Sequence, residues 1–175
     1  MTVDERLRTN LDGVYAVGDV TPGLQLAHRG FAQGIVVAEK IAGLDPTPVD
    51  DVKVPKVTFC EPEIASVGLS EAKAKEQYGA DAVTTAEFNV AGNAKSQILG
   101  TQGFVKLVSL KDGPIVGFHA IGARMGEQVG EGQLIVNWEA DADDVAALVH
   151  AHPTQNETLG EAAMVLAGKP LHNHG

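Results

Sequence analysis

Phe104-Val105-Lys106-Leu107-Val108-Ser109-Leu110-Lys111-Asp112-Gly113-Pro114-Ile115-Val116-Gly117-Phe118-His119-Ala120-Ile121 reads as two strands and the turn between them. Apolar residues dominate 104–110 and 115–121, and Lys111-Asp112-Gly113-Pro114 gathers residues that reverse a chain. A hairpin commits its surroundings to an antiparallel sheet. Upstream, 57–60, 65–68 and 83–90 read as further short strands. Between them Ser70 caps a helix through Tyr78, with Glu71 and Lys75 at i,i+4 and Gly79 as its terminator. Downstream, Val129, Leu134, Ile135 and Trp138 fall at helical spacing within 127–138, and two more helices follow over about 142–149 and 155–166. Strands first and helices last predict an α+β domain: a mostly antiparallel sheet with helices on one side.

The first forty residues differ. Leu11-Asp12-Gly13 signals a turn, and Val14-Tyr15-Ala16-Val17 reads as a short buried strand that Gly18-Asp19 ends. A helical pattern then runs over about 26–42, with Phe31, Ile35, Val36, Ala38 and Ile41 as its apolar members and Gly43 placed to stop it. One strand and one helix cannot bury both faces of a sheet. Residues 1–43 are therefore expected to be the C-terminal remnant of an α/β domain, and residues 44–175 a second domain. Asp45-Pro46-Thr47-Pro48 is the rigid boundary.

Bulk properties narrow the partners. A net charge of −10 argues against binding nucleic acid or an anionic membrane surface. No apolar run approaches the roughly 18 residues of a membrane span, and Met1 to Asn10 is polar, so no signal peptide is expected. The single cysteine, Cys60, cannot form an internal disulfide, which points to the cytoplasm. Its apolar neighbours suggest a core thiol.

The densest chemistry lies in His150-Ala151-His152-Pro153-Thr154-Gln155-Asn156-Glu157. Imidazole titrates near neutrality, so a positioned His152 can accept and return a proton, and a carboxylate such as Glu157 can fix its tautomer. Pro153 favours a cis bond after His152. Thr154-x-x-Glu157 is equally a capping box opening the last helix, with His150 and His152 as loop residues. Both readings can hold, because one carboxylate has two oxygens. Elsewhere, Glu139, Asp141, Asp143 and Asp144 cluster at a helix start, where acids complement the dipole. His119 reads as a packed or interface histidine with no metal-ligand spacing around it, and His172 and His174 as a mobile tail. Gly126-x-x-x-Gly130 hints at close helix approach.

His-Pro-Thr-x-x-Glu at 152–157 resembles the signature of the pyridine nucleotide–disulfide oxidoreductases, and His150-Ala151 before it is similar to the dihydrolipoamide dehydrogenases in particular. Thr9 to Asp19 resembles the family's second flavin-binding motif, a strand ending in Gly18-Asp19, and Leu26-Ala27-His28-Arg29-Gly30 the segment that follows it. Pro62 to Glu71, Gly117 to Gly122 and Gly126-Glu127 resemble its interface domain, so the match is colinear over nearly the whole chain. The resemblance implies His152 as acid/base with Glu157 orienting it. It also implies FAD contacts at Gly18, Asp19, Leu26, Ala27 and His28, electron transfer from dihydrolipoamide through a disulfide and FAD to NAD, and no metal. As partners it implies a homodimer and the lipoyl-carrying subunit of a 2-oxo acid dehydrogenase complex. The family's Cys-x-x-x-x-Cys pair, Gly-x-Gly-x-x-Gly loop and NAD domain have no counterpart in these residues, so the chain alone is expected not to turn over. Two alternatives stand beside this: a glutathione-reductase-like enzyme, and an inert dimerisation module.

Overall fold

The computed structural model describes residues 1–172, which fall into two compact units, Met1–Val54 and the residues from Pro55 onward. The first contains one long helix, α1 (Ala27–Ile41). The second contains strands β1 (Lys56–Thr58), β2 (Glu63–Gly68), β3 (Val83–Asn89), β4 (Phe104–Leu110) and β5 (Ile115–Gly122). Its helices are α2 (Glu71–Tyr78), α3 (Ala94–Leu99), α4 (Met125–Asn137), α5 (Ala142–Ala146) and α6 (Glu157–Leu166).

The predicted hairpin sits inside the sheet. Its strands run antiparallel in the order β1-β2-β5-β4-β3, so β5 and β4 have neighbours on both sides. Leu107 stands opposite Phe118 and Val105 opposite Ala120, and the register slips between Val108 and Ser109 as at a bulge. Alternation sends Val67, Val105, Leu107, Phe118 and Ala120 into the main core, where they meet Val129 and Ile135 of α4, Val145 of α5 and Leu159 and Ala162 of α6. Helix α4 comes close because residue 132 is glycine: a Cβ there would lie 2.6 Å from Cγ of Phe118. A second cluster of Leu69, Ala74, Val83 and Val108 seats α2. That helix starts as read, with the Ser70 hydroxyl accepting the Lys73 N–H at 3.3 Å. Glu71 pairs with Lys75 one turn on and also with Lys106 of β4, a partner sequence spacing cannot reveal.

Several sequence expectations shift. Helix α4 buries Met125, Gln128, Val129, Gly132, Ile135 and Val136. Leu134 and Trp138 are left 48% and 75% exposed, because Leu134 lies off that stripe and Trp138 follows the last residue of the helix. Helix α5 stops at Ala146, short of 149, as the Leu148 N–H bonds back to Val145 O and tightens the last turn. Cys60 is an exposed thiol, not a core one. Strand β1 ends at Thr58, so Cys60 falls in the turn, its Sγ 3.0 Å from Pro62 O.

In the first unit, residues 14–17 do not form a strand of a sheet: their pairing is the isolated bridge of Tyr15 with Arg8, and Val14 and Val17 are exposed while Ala16 is buried. Helix α1 likewise buries Arg29 and Gln33 and exposes Phe31, Ile35 and Ile41. The apolar stripe has no sheet face to cover it within this unit, so polar anchors hold the helix. The unit runs on through the Asp45-Pro46-Thr47-Pro48 stretch to Val54. Residues 45–51 stay with it through ion pairs of Asp45 with Arg6 and Lys40, and of Asp51 with Arg29. Among the described residues no helix is long and apolar enough to cross a membrane.

Candidate active site

The loop from α5 to α6 carries the signature residues. A cis peptide joins His152 to Pro153, the isomer anticipated from sequence. The Thr154 hydroxyl donates to Ala151 O at 2.6 Å, closing the loop on itself. Glu157, the first residue of α6, turns back over it. One carboxylate oxygen accepts the Thr154 N–H at 2.7 Å, and the other lies 2.8 Å from Nδ1 of His152. Helix capping and histidine orientation are thus shared between two oxygens of one side chain. Only half of the capping box forms, because the Thr154 hydroxyl is spent on Ala151 O.

The electrostatics suit the geometry. Burial opposes ionisation of Glu157, but hydrogen bonds from Thr154 and His152, helped by the charges of His152 and His150, outweigh it and hold the carboxyl below its usual range. A carboxylate on Nδ1 selects the tautomer that carries the Nδ1 proton, leaving a lone pair on Nε2. The His152 side chain is 70% exposed, so that lone pair is open to an incoming proton donor.

Two sets of contacts hold the loop, and neither was legible in the sequence. From one side, Asn93 Nδ2 donates to Thr154 O at 3.1 Å and the Ser96 hydroxyl to Gln155 Oε1 at 2.7 Å. Gln155 Nε2 donates in turn to Ala123 O at 2.8 Å. Asn93, Ser96 and Gln155 are all buried. From the other, Glu131 of α4 lies 2.8 Å from Nε2 of His150 and 2.6 Å from Nδ2 of Asn156. The Glu131 hydrogen bond raises the His150 pKa above its usual value, against burial. These partners lie 19 to 61 positions apart, beyond any local motif. His172 is no loose end: its Nδ1 and N–H bind the buried Glu161 carboxylate at 2.6 and 3.1 Å, while His174 lies outside the described residues. His119 donates from Nε2 to Leu69 O at 3.0 Å, and burial lowers its pKa. Among the described residues no group of three or more His, Cys, Asp or Glu gathers as a metal site.

In the first unit, Gly18 adopts φ +71°, in the left-handed region that favours glycine, and its N–H donates to Gln33 Oε1 at 2.7 Å. A Cβ on Gly30 would lie 3.3 Å from Gly18 Cα, so the turn and α1 meet backbone to backbone. The buried Arg29 guanidinium binds Asp51, Thr21, Pro22 O and Leu24 O, fixing the connection from turn to helix. Asp19 is exposed beside that turn, and Leu26, Ala27 and His28 form the start of α1. An exposed carboxylate accepts hydroxyl donors, and a helix N-terminus favours negative charge. An acceptor set beside a helix N-terminus in this way can hold a polyhydroxylated ligand that carries negative charge.

Comparison with known proteins bears on both units. Residues 54–163 match the pyridine nucleotide-disulphide oxidoreductase dimerisation domain, and residues 1–34 match a pyridine nucleotide-disulphide oxidoreductase domain. The dihydrolipoyl dehydrogenase of Corynebacterium glutamicum is 41% identical over 169 residues, that of Bacillus subtilis 42% over 171. These alignments cover 95% and 97% of this chain, which spans 36% of the length of each relative. Among solved structures, LpdA from Mycobacterium tuberculosis superposes with a TM-score of 0.87 at 27% identity, over 94% of this chain and 36% of that one. The flavoprotein disulfide reductase RclA of Escherichia coli gives 0.85 at 24% identity, over 94% and 38%, a likeness of fold.

Proposed function

Because the chain belongs to the pyridine nucleotide-disulphide oxidoreductase family, through a dimerisation domain over residues 54–163, we propose that it supplies the acid/base half-site and dimer interface of a dihydrolipoyl dehydrogenase. The observation that carries this is the bond from His152 Nδ1 to Glu157 at 2.8 Å in an exposed loop. In the net reaction dihydrolipoamide and NAD⁺ become lipoamide, NADH and a proton. His152 Nε2 takes a proton from the first thiol, so that its thiolate can attack a disulfide contributed by the partner subunit. Glu157 keeps the imidazole in the required tautomer and stabilises the imidazolium that forms. The protonated ring then lies beside the cysteine thiolate released by the attack.

Gly18, Asp19, Leu26, Ala27 and His28 are the residues that would hold FAD. When bound, it supplies the two-electron relay between the disulfide and NAD⁺. The lipoyl-carrying subunit of a 2-oxo acid dehydrogenase complex is the macromolecular partner in this reading, and the setting is cytoplasmic. A related enzyme acting on glutathione is the nearest alternative; the His150-Ala151 context and the two dihydrolipoyl dehydrogenase relatives favour lipoamide.

His152→Gln in the complete flavoprotein is expected to slow dithiol oxidation by at least about a hundredfold, the scale of general acid–base catalysis. NADH oxidation by an artificial acceptor, which needs no dithiol proton transfer, should persist. Near-normal dithiol turnover in this variant would remove the assignment.

A further inference from the structure

We propose that Glu131 is a positioning residue for His152, acting by bridging the two ends of the catalytic loop. This deepens the acid/base reading of His152 and rests on it. Glu131 lies in the middle of α4, a helix fixed to the core by Val129 and Ile135 on either side of it. One of its oxygens binds His150 at 2.8 Å and the other Asn156 at 2.6 Å. Those two residues bracket 151–155, the segment that contains His152. One rigid carboxylate therefore sets the distance between the loop's entry and its exit.

The His150 ring is confined on its other side as well. A Cβ added at Gly160 of α6 would come within 2.7 Å of its Nδ1, so only glycine leaves the ring its place. The ring is clamped between an α4 carboxylate and the α6 backbone. A plain structural ion pair would be a poor use of this position. A carboxylate that loses much of its water needs more than one partner to be tolerated, and here both partners belong to the loop. Burial works against the charge on Glu131, yet the hydrogen bonds from His150 and Asn156 together keep it ionised. Glu157, facing the same loop, in turn feels the charge of His150.

Displacement of a reacting group by about 1 Å is enough to lose up to a hundredfold in rate. Glu131→Gln keeps the volume but puts an amide donor against one of two donors. In NMR titrations of the 175-residue chain, it should lower the pH at which His150 titrates and shift the His152 ring signals. In the complete flavoprotein, it should reduce kcat for dithiol oxidation by about tenfold or more. The KM for NAD⁺ and artificial-acceptor turnover should hold, and Glu131→Asp should recover part of the loss. Should Glu131→Ala fail to fold, the isosteric Gln variant still carries the test. Unchanged His152 signals together with unchanged kcat overturn the proposal. Equal loss of artificial-acceptor turnover also overturns it, since that marks general collapse. If His152→Gln is silent while Glu131→Gln still moves the His152 signals, the acid/base reading fails and the positioning stands.

Discussion

At the scale of single residues, Glu157 matters for serving two masters at once. One oxygen satisfies the Thr154 N–H at the start of α6, and the other holds His152. Glu157→Ala should therefore show two separable losses. Urea unfolding should report about 1 kcal/mol, the ordinary worth of a cap. In the complete flavoprotein, the proposed acid/base role predicts that dithiol turnover falls much further than that stability change explains, because His152 loses its tautomer as well as its place. A turnover loss that disappears once folding is restored by a stabilising solute would reduce Glu157 to a cap. The contact of Glu157 with the start of α6 was legible in the sequence, since its spacing is that of a helix start, whereas the acid/base reading of His152 came from the family resemblance of 152–157. Glu131, Asn93 and Ser96 were not legible, because each reaches the loop from an element far away in the chain.

At the scale of elements, α4 shows how one position decides packing. Its sequence suggested a Gly126-x-x-x-Gly130 approach; a Cβ at Gly126 would lie 3.1 Å from Cγ1 of Val57, but the tightest contact is at Gly132, against the fully buried Phe118. Gly130 has nothing within 4 Å of its absent Cβ. Gly132→Ala should thus destabilise by about 1–3 kcal/mol through overpacking. Gly130→Ala should stabilise by roughly 0.5–1 kcal/mol, the helix-propensity difference. Urea midpoints of the two variants should move in opposite directions; movement in the same direction would contradict this packing. The hairpin was readable because strand alternation and turn chemistry are both written in adjacent residues. The buried stripe of α4 was misread, since apolar residues at helical spacing include Leu134 and Trp138, and only the sheet's position selects which are covered.

At the scale of the whole molecule, the titrating groups shape stability from opposite sides. His150 has a raised pKa, so its contribution is complete below 6.5 and is lost as pH rises through its folded value. His119 has a lowered pKa, so its contribution is present above 6.5 and is lost as pH falls through its folded value. Glu131 and Glu157, both lowered, contribute above 4.5 and fail as pH falls through theirs, whereas Glu71, lowered to about 2 by Lys106 and Lys75, holds longest. Urea melts across pH should show an alkaline decline beginning above 6.5, and Glu131→Gln should flatten it; an identical slope in both proteins would exclude His150 as its source. By itself the sequence determined the sheet-and-helix class, the hairpin and the two ends of α2, because periodicity, turn chemistry and capping act over a few residues. Tertiary structure alone decided that α1 is anchored through Arg29 and Gln33, that Cys60 faces solvent, and that the loop between α5 and α6 is pinned by Glu131, Asn93 and Ser96. Burial and long-range hydrogen bonding depend on which elements meet, and no local pattern encodes that.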